Sequence, residues 1–340
     1  MMAAGTDGDR EETTRPRNAD LSLNSRAEAF GPVPSRRLGR SIGVNNIPPK
    51  TCSFSCVYCQ LGRTHRMLAE RRRFYSPEDV AAAVRCRLDA AATAGESVDV
   101  LTFVADGEPT LDLRLGETID RLRPFDLPIA VISNASLIGD EGVRRELAKA
   151  DWVSLKIDAV DPQVWRRIDR PHRSLDIRSI HNGILRFAES FRGTLVTETM
   201  LVAGLNDRPQ AIEHVASYLQ RVSPHIAYLS APIRPPAEAR VRVPDAGALM
   251  SAYRVVGEAV DRVELLIGYE GDAFAASGNA EEDLLAITAV HPMRHDAVTD
   301  LLSRCEANWS IVDRLIDRGA LVVIPHRGHR YYMRSMPGRR

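Results

Sequence analysis

The chain has 340 residues, 44% of them hydrophobic, and its 45 basic residues are balanced by 45 acidic ones. That length calls for one large domain with an appendage, or for two domains, and a net charge of zero excludes a global field that would draw in nucleic acid or an anionic membrane. No stretch approaches the roughly 18 consecutive apolar residues of a membrane span, and the first residues lack the apolar core of a signal peptide, so a cytoplasmic protein without membrane attachment is expected.

Residues 1–28 are polar and charged without apolar periodicity and read as a disordered leader. Gly31-Pro32-Val33-Pro34 then forms an extended approach to a predicted first strand, Arg40 to Ile47, which Pro48-Pro49 breaks. The loop that follows reads Lys50-Thr51-Cys52-Ser53-Phe54-Ser55-Cys56-Val57-Tyr58-Cys59, so three of the five cysteines fall within eight residues. Three soft thiolates at C-x3-C-x2-C spacing select zinc, copper(I) or iron and sulfur. A cluster held by three cysteines, where four are usual, leaves one metal position open to an outside ligand. A structural zinc site completed by His65 is the alternative that the triplet leaves open.

Beyond this loop, strand and helix alternate. Ser76 caps a predicted helix over Pro77 to Thr93, stopped by Gly95. Strands are predicted at Val98 to Val104, Ile129 to Ile132, Trp152 to Ile157, Thr194 to Val202 and His225 to Ser230, with a further one at Val263 to Gly268. Helices are predicted at Leu113 to Leu122, Asp140 to Ala148, Ile177 to Ser190 and Pro209 to Val222. Short apolar runs separated by helices specify parallel strands with right-handed crossovers. Six clear strands against the eight of a closed TIM barrel give an α/β fold with a partial (β/α)6 barrel over residues 29–275.

Function in such folds gathers at the carboxyl ends of the strands. The cysteine loop, Asp106-Gly107-Glu108-Pro109-Thr110, Ser133-Asn134-Ala135-Ser136, Lys156-Ile157-Asp158, Ala203-Gly204-Leu205-Asn206-Asp207 and Pro232-Ile233-Arg234-Pro235-Pro236 follow or end successive strands, so all converge on one rim. A structural zinc site does not predict such a ring. Only Lys50, Lys149 and Lys156 among the 45 basic residues are lysine, and lysine, unlike arginine, can lose its proton to act as a base or imine former. Lys156 with Asp158 is therefore the candidate catalytic pair, with an ion pair bracing the rim as its alternative. Cys86 and Cys305 are expected to be buried, inert thiols. Arg36, Arg37 and Arg234 form a candidate anion-binding edge.

Past Glu281 the alternation ends. Helices at Ala297 to Cys305 and Ile311 to Arg318, then a hairpin turning at Gly328-His329, give a winged-helix-like module over residues 281–335. Its second helix mixes Asp313 and Asp317 with Arg314 and Arg318, a poor face for a phosphate-lined groove. The hairpin mixes basic and aromatic residues, as RNA contacts often do, and a protein-docking role is equally open.

The C-x3-C-x2-C loop together with Gly107-Glu108-Pro109 resembles the radical S-adenosylmethionine (SAM) superfamily. Phe30 to Gly39, Gly62-Arg63-Thr64, Gly107-Glu108-Pro109-Thr110 and Arg234-Pro235-Pro236-Ala237-Glu238 are similar to the group related to the catalytic domain of the tRNA wybutosine-synthesising enzymes, over about Gly31 to Gly271. One difference is that no second cysteine set precedes Cys52. The resemblance implies a 4Fe-4S cluster on Cys52, Cys56 and Cys59, with SAM on the open iron. It also implies that Gly107, Glu108 and Pro109 approach the SAM amino group and that Tyr58 lies beside the adenine. Ser133 and Asn134 would meet the carboxylate or ribose, and Gly204 the adenine. The implied activity is reductive cleavage of SAM to a 5′-deoxyadenosyl radical that abstracts hydrogen from a substrate, fed by an external flavodoxin- or ferredoxin-like one-electron donor. RNA or tRNA modification is the expected substrate class; the alternatives are a peptide or small molecule, or an iron–sulfur redox-sensing regulator using the winged helix.

Overall fold

A computed structural model describes residues 27–35, 37–104, 106–268, 274 and 278–335. The predicted leader therefore lies outside the described residues except for its last positions, as does Arg36. The first strands are β1 (Glu28–Ser35) and β2 (Gly39–Asn45), followed by the two-residue strands β3 (Thr51–Cys52) and β4 (Arg66–Met67) and by helix α1 (Pro77–Thr93). Then come β5 (Val100–Phe103), α2 (Leu115–Leu122), β6 (Ile129–Ser133), α3 (Glu141–Leu147), β7 (Trp152–Lys156), α4 (Pro162–Ile168) and α5 (Ile177–Ser190). The barrel finishes with β8 (Thr194–Met200), α6 (Pro209–Val222), β9 (Ile226–Ser230), α7 (Ala246–Gly257) and β10 (Val263–Leu266).

Eight of these strands form one sheet in the order β1-β2-β5-β6-β7-β8-β9-β10. Each step from β2 onward is parallel and β1 pairs antiparallel with β2. Among the described residues no pairing joins β1 to β10, so the sheet is a partial, TIM-like barrel. Its strands read as continuous apolar runs because helices cover one face and the barrel interior the other. Val100, Leu101, Thr102 and Phe103 are all buried, as are Ile129, Ala130 and Val131. The helices begin where the sequence supplies an acceptor for their first N–H groups: Ser76 for α1, Asp140 for α3, Asp161 for α4, Asp176 for α5 and Asp245 for α7. Gly95, at φ +68°, turns the chain out of α1.

Three features depart from expectation. The expected extended approach is a paired strand, β1: despite its prolines, and with a cis Gly31–Pro32 bond, Glu28–Ser35 pairs along β2 with an irregularity between Phe30 and Val33. The ring of Phe30 lies over Gly43, where a Cβ would come within 2.0 Å of it. Helices α4 and α7 occupy segments where no helix was expected, because the first is short and the second follows a proline-rich loop. Cys86 is exposed rather than buried, on the outer face of α1.

The chain after the barrel forms α8 (Ala280–Val290), β11 (Met293–Arg294), α9 (His295–Arg304), α10 (Ser310–Asp317), β12 (Leu321–His326) and β13 (His329–Arg334), with a small sheet in the order β11-β13-β12. It has its own core, including Leu284, Met293, Val298, Leu301, Val312 and Leu315. It joins the barrel beside β1, where Ala289 packs on Phe30. Ion pairs Arg87–Glu282, Arg304–Glu96 and Arg334–Glu28 rim the contact. No helix among the described residues is long and apolar enough to cross a membrane.

Asp106, in the loop after β5, is 1% exposed and neither carboxylate oxygen has a hydrogen-bond partner among the described residues. Burial, and secondarily the Glu28 charge, pushes its carboxyl up to about 7. Between about pH 4, the ordinary unfolded value, and pH 7 the folded chain therefore holds a proton that the unfolded chain has lost, and stability falls as pH rises. Asp106→Asn is expected to flatten that slope and to stabilise the fold above pH 7 by up to about 4 kcal/mol, as read from denaturant unfolding across pH.

Candidate active site

The carboxyl ends of the parallel strands enclose a cavity of 310 Å³. Cys52, Cys56 and Cys59 line one side with Tyr58. Gly107, Glu108, Ser133 and Asn134 line the next. Lys156, Glu198, Met200 and Arg37 line a further part of the wall, with Ser230 to Arg234 and Leu266.

The cysteine loop is fixed from three directions. Lys50 N–H donates to the Asp106 carbonyl at 2.7 Å, and Glu108 N–H donates to the Thr51 carbonyl at 3.2 Å. This contact needs Gly107, since a Cβ there would stand 1.7 Å from the Thr51 carbonyl oxygen. On the far side Ser55 N–H donates to the Asp169 carbonyl at 3.0 Å and Val57 N–H to that of Ile168 at 2.9 Å. Glu238 N–H reaches the Val57 carbonyl at 3.0 Å, and Lys50 Nζ donates to the Gly62 carbonyl at 2.6 Å.

Glu108 is 1% exposed. Its Oε1 accepts from Thr110 N–H at 3.0 Å, the Thr110 hydroxyl at 2.6 Å and the Ser133 hydroxyl at 2.8 Å, while Oε2 accepts from Asn134 N–H at 2.7 Å. Burial raises its pKa and these donors oppose the rise. Ser133 and Asn134 thus orient this carboxylate, and Asn134 also donates to Ser53 Oγ at 2.9 Å and lies 3.5 Å from Cys52 Sγ. Pro109 is buried in a 3-10 turn behind Glu108.

Lys156 pairs with Glu198 at 3.2 Å, and Glu198 also takes Arg37 at 2.6 Å and the Ser230 hydroxyl at 2.9 Å. Against the cost of burial, Lys156 and Arg37 hold the Glu198 carboxyl well below the carboxylate range. Against the same cost, Glu198 and then Asp158 keep the Lys156 ammonium above its ordinary value. The expected Lys156–Asp158 pairing is replaced: Asp158 turns beneath the cavity to the Tyr58 hydroxyl and accepts from Met200 N–H at 2.7 Å. Tyr58 also lies 3.3 Å from Asp169, which faces Cys56 Sγ at 3.3 Å. The Lys156 Nζ sits 5.0 Å over the Tyr58 ring. Arg234, expected at an anion-binding edge, reaches Gln60 at 2.8 Å and His291, just past the end of α8, at 3.1 Å. Gly204, at φ +72°, is exposed and does not line the cavity.

Sequence reasoning missed Glu198 and Asp169, and it named Arg37 at an anion-binding edge without its partner Glu198. A glutamate inside the run Leu195-Val196-Thr197-Glu198-Thr199 was a signal, because a charge in a buried strand requires a partner.

The donor set fits an iron–sulfur cluster. Burial, then the Glu108 carboxylate, pushes the Cys52 thiol up to about 12, and burial with Asp169 drives Cys56 well upward. Thiolates are stable in such surroundings when a metal supplies the compensating charge. Among the described residues no group of three Cys, His, Asp or Glu side chains is arranged to hold a single metal ion; the three thiols instead border a wider space.

Residues 46–217 match the family described as the radical SAM superfamily. The UPF0026 protein of Methanocaldococcus jannaschii is 42% identical over 313 residues, which span 92% of this chain and 97% of the relative. A radical SAM methyltransferase from Sphaerobacter thermophilus superposes with a TM-score of 0.51 at 15% identity, over 67% of this chain and 66% of the other. TYW1, solved with a lysine–pyruvate adduct bound, gives a TM-score of 0.50 at 17% identity, over 65% and 75%. At those identities the superpositions show the fold alone.

Gly107→Ala is expected to force the cysteine loop away from the loop after β5. It should cost about 1–3 kcal/mol of stability and lower the iron retained after anaerobic reconstitution, measured by metal analysis; full iron loading at parental stability would contradict the close approach.

Proposed function

Because this chain belongs to the radical SAM superfamily, and is thus an enzyme whose family binds a 4Fe-4S cluster and SAM, we propose that Cys52, Cys56 and Cys59 hold the cluster and that the substrate is an RNA nucleoside. The observation that carries the first part is the single cavity in which the three thiols and the oriented Glu108 carboxylate meet. When bound, the cluster and SAM supply a carbon radical that removes a hydrogen atom from the substrate.

The rest is done by the chain. Glu108, held by four donors, offers Oε2 to the SAM ammonium. Ser133 and Asn134 are positioning residues for that carboxylate, and Gly107 and Pro109 set the turn that presents it. Tyr58, pinned to Asp158 and flanked by Lys156, forms the wall beside the cysteines. Gly204 plays no part at the cavity.

Arg37 and Lys156 flank one carboxylate, Glu198, so this part of the wall carries an excess of positive charge and favours an anionic substrate group. A raised pKa keeps Lys156 an ammonium ion; it binds charge in this arrangement, whereas a lysine that forms an imine must first become neutral. Beside the mouth a groove of 600 Å³ runs between Pro232–Val243 and the β12–β13 turn, lined by Arg242, His326 and Arg327. It shares Pro232 with the cavity. A basic groove leading to a radical-generating pocket suits an unpaired nucleotide whose phosphates lie outside and whose base enters. We assign residues 29–275 to the barrel and 281–335 to a winged-helix-like module that builds the far side of this groove.

Glu108→Gln is expected to weaken SAM binding by about 10-fold to 100-fold, the value of a charge-assisted hydrogen bond, with cluster absorbance unchanged; calorimetry on the reconstituted protein measures it. Lys156→Gln is expected to leave dithionite-driven SAM cleavage intact and to abolish its coupling to substrate. Mass spectrometry of tRNA nucleosides from a deletion strain and its parent tests the substrate class: a missing modified nucleoside supports it, and identical profiles reject it.

A further inference from the structure

A second cavity, of 390 Å³, lies on the opposite side of the cysteine loop and shares no lining residue with the first. Its floor is apolar, formed by Val57, Val202, Leu205 and Val241. Its rim is arginine: Arg166 and Arg167 from the last turn of α4, Arg170 just beyond it and Arg240 from the loop after β9. Arg170 holds a left-handed backbone, φ +46°, and pairs with Glu238 at 2.7 Å; Arg63 reaches the same carboxylate at 2.8 Å. Arg166, Arg167 and Arg240 are exposed and have no acidic partner among the described residues. In a chain whose total charge is zero this is a local positive excess.

We propose that this face docks the acidic protein that delivers electrons to the enzyme, a small flavin or iron–sulfur carrier. Cys56 and Tyr58 line the inner cavity while Val57, between them in sequence, floors the outer one. Val57 is buried at the base of this cavity, so a carrier seated on the arginine rim is separated from the cysteines by the loop that carries them, and it arrives without entering the mouth where substrate binds. A rim of exposed positive charge matches the small, electrostatically steered interfaces of electron-transfer partners. The step is one-electron: the reduced carrier is oxidised by one electron and the cluster takes it up. The proposal rests on the cluster lying at Cys52, Cys56 and Cys59.

The test compares the cluster-loaded parent with Arg166→Glu/Arg167→Glu/Arg240→Glu, using an acidic bacterial flavodoxin as the carrier and dithionite as the small reductant. Binding of flavodoxin, measured by calorimetry over a salt series, is expected to weaken by at least about tenfold in the variant and to lose most of its salt dependence. Cluster reduction by flavodoxin, followed by absorbance, should slow in parallel, while dithionite-driven SAM cleavage stays at the parental level. Parental affinity in the variant overturns the proposal, and so does a parent that does not bind flavodoxin. Loss of total-tRNA binding with flavodoxin binding intact also overturns it, by assigning the face to nucleic acid. If the triple reversal fails to load its cluster, the triple Arg→Gln variant replaces it and must show the same selective loss. Dithionite cleavage absent from the parent refutes the cluster reading itself, a result distinct from any of these.

Discussion

Two hydrogen bonds, Lys50 N–H to the Asp106 carbonyl and Glu108 N–H to the Thr51 carbonyl, fasten the cysteine loop to the loop after β5. They fix where the thiols stand relative to the Glu108 carboxylate, and they require the two backbones to approach more closely than any side chain permits, which is the role of Gly107. Once this join is made, Asn134 can bridge from Glu108 to Ser53 and to the edge of Cys52. The orientation of the SAM-facing carboxylate and the position of the first cysteine are therefore set by one connected network.

The second constraint is electrostatic. Glu198, Lys156 and Arg37 are part-buried charges: the two cations hold the Glu198 carboxyl ionised, and Glu198 in turn keeps Lys156 an ammonium ion. Asp158 and Asp169 lie under the same wall, where burial raises both and the neighbouring Asp158 raises Asp169 further. Each charge in the mouth is met by a partner, and removing one member leaves another exposed to the full cost of burial. The interior is thus rigid in its charge pattern, whereas the arginines on the outer face of the cysteine loop are exposed.

The alternation of short apolar runs with helical segments made the barrel legible in the sequence, and the boundaries of α1, α5 and α6 follow from their caps and prolines. The cysteines, Glu108, Ser133, Asn134 and Lys156 were legible as strand-end motifs and meet in one cavity. Partners distant in sequence were not. Glu198 meets Lys156 across adjacent strands, and Arg37 reaches it from the β1–β2 turn 161 residues away. Asp158 lies two residues from Lys156, yet it turns below the cavity to Tyr58, because the strand ends at Lys156 and the alternation of faces ends with it. β1 was hidden by its prolines, which an edge strand tolerates because one row of its N–H groups needs no partner.

The meeting of Glu28 with Arg334 joins positions 306 residues apart. During synthesis β1 is made just before β2, with which it pairs locally, but the Ala289 that covers Phe30 and the hairpin that meets Glu28 are made only after the whole barrel. The first strand must wait, half covered, until that hairpin has been made. Contacts of such long sequence separation form slowly, so the sheet margin at β1 is the part of this molecule most exposed to misassembly while the chain is still being made.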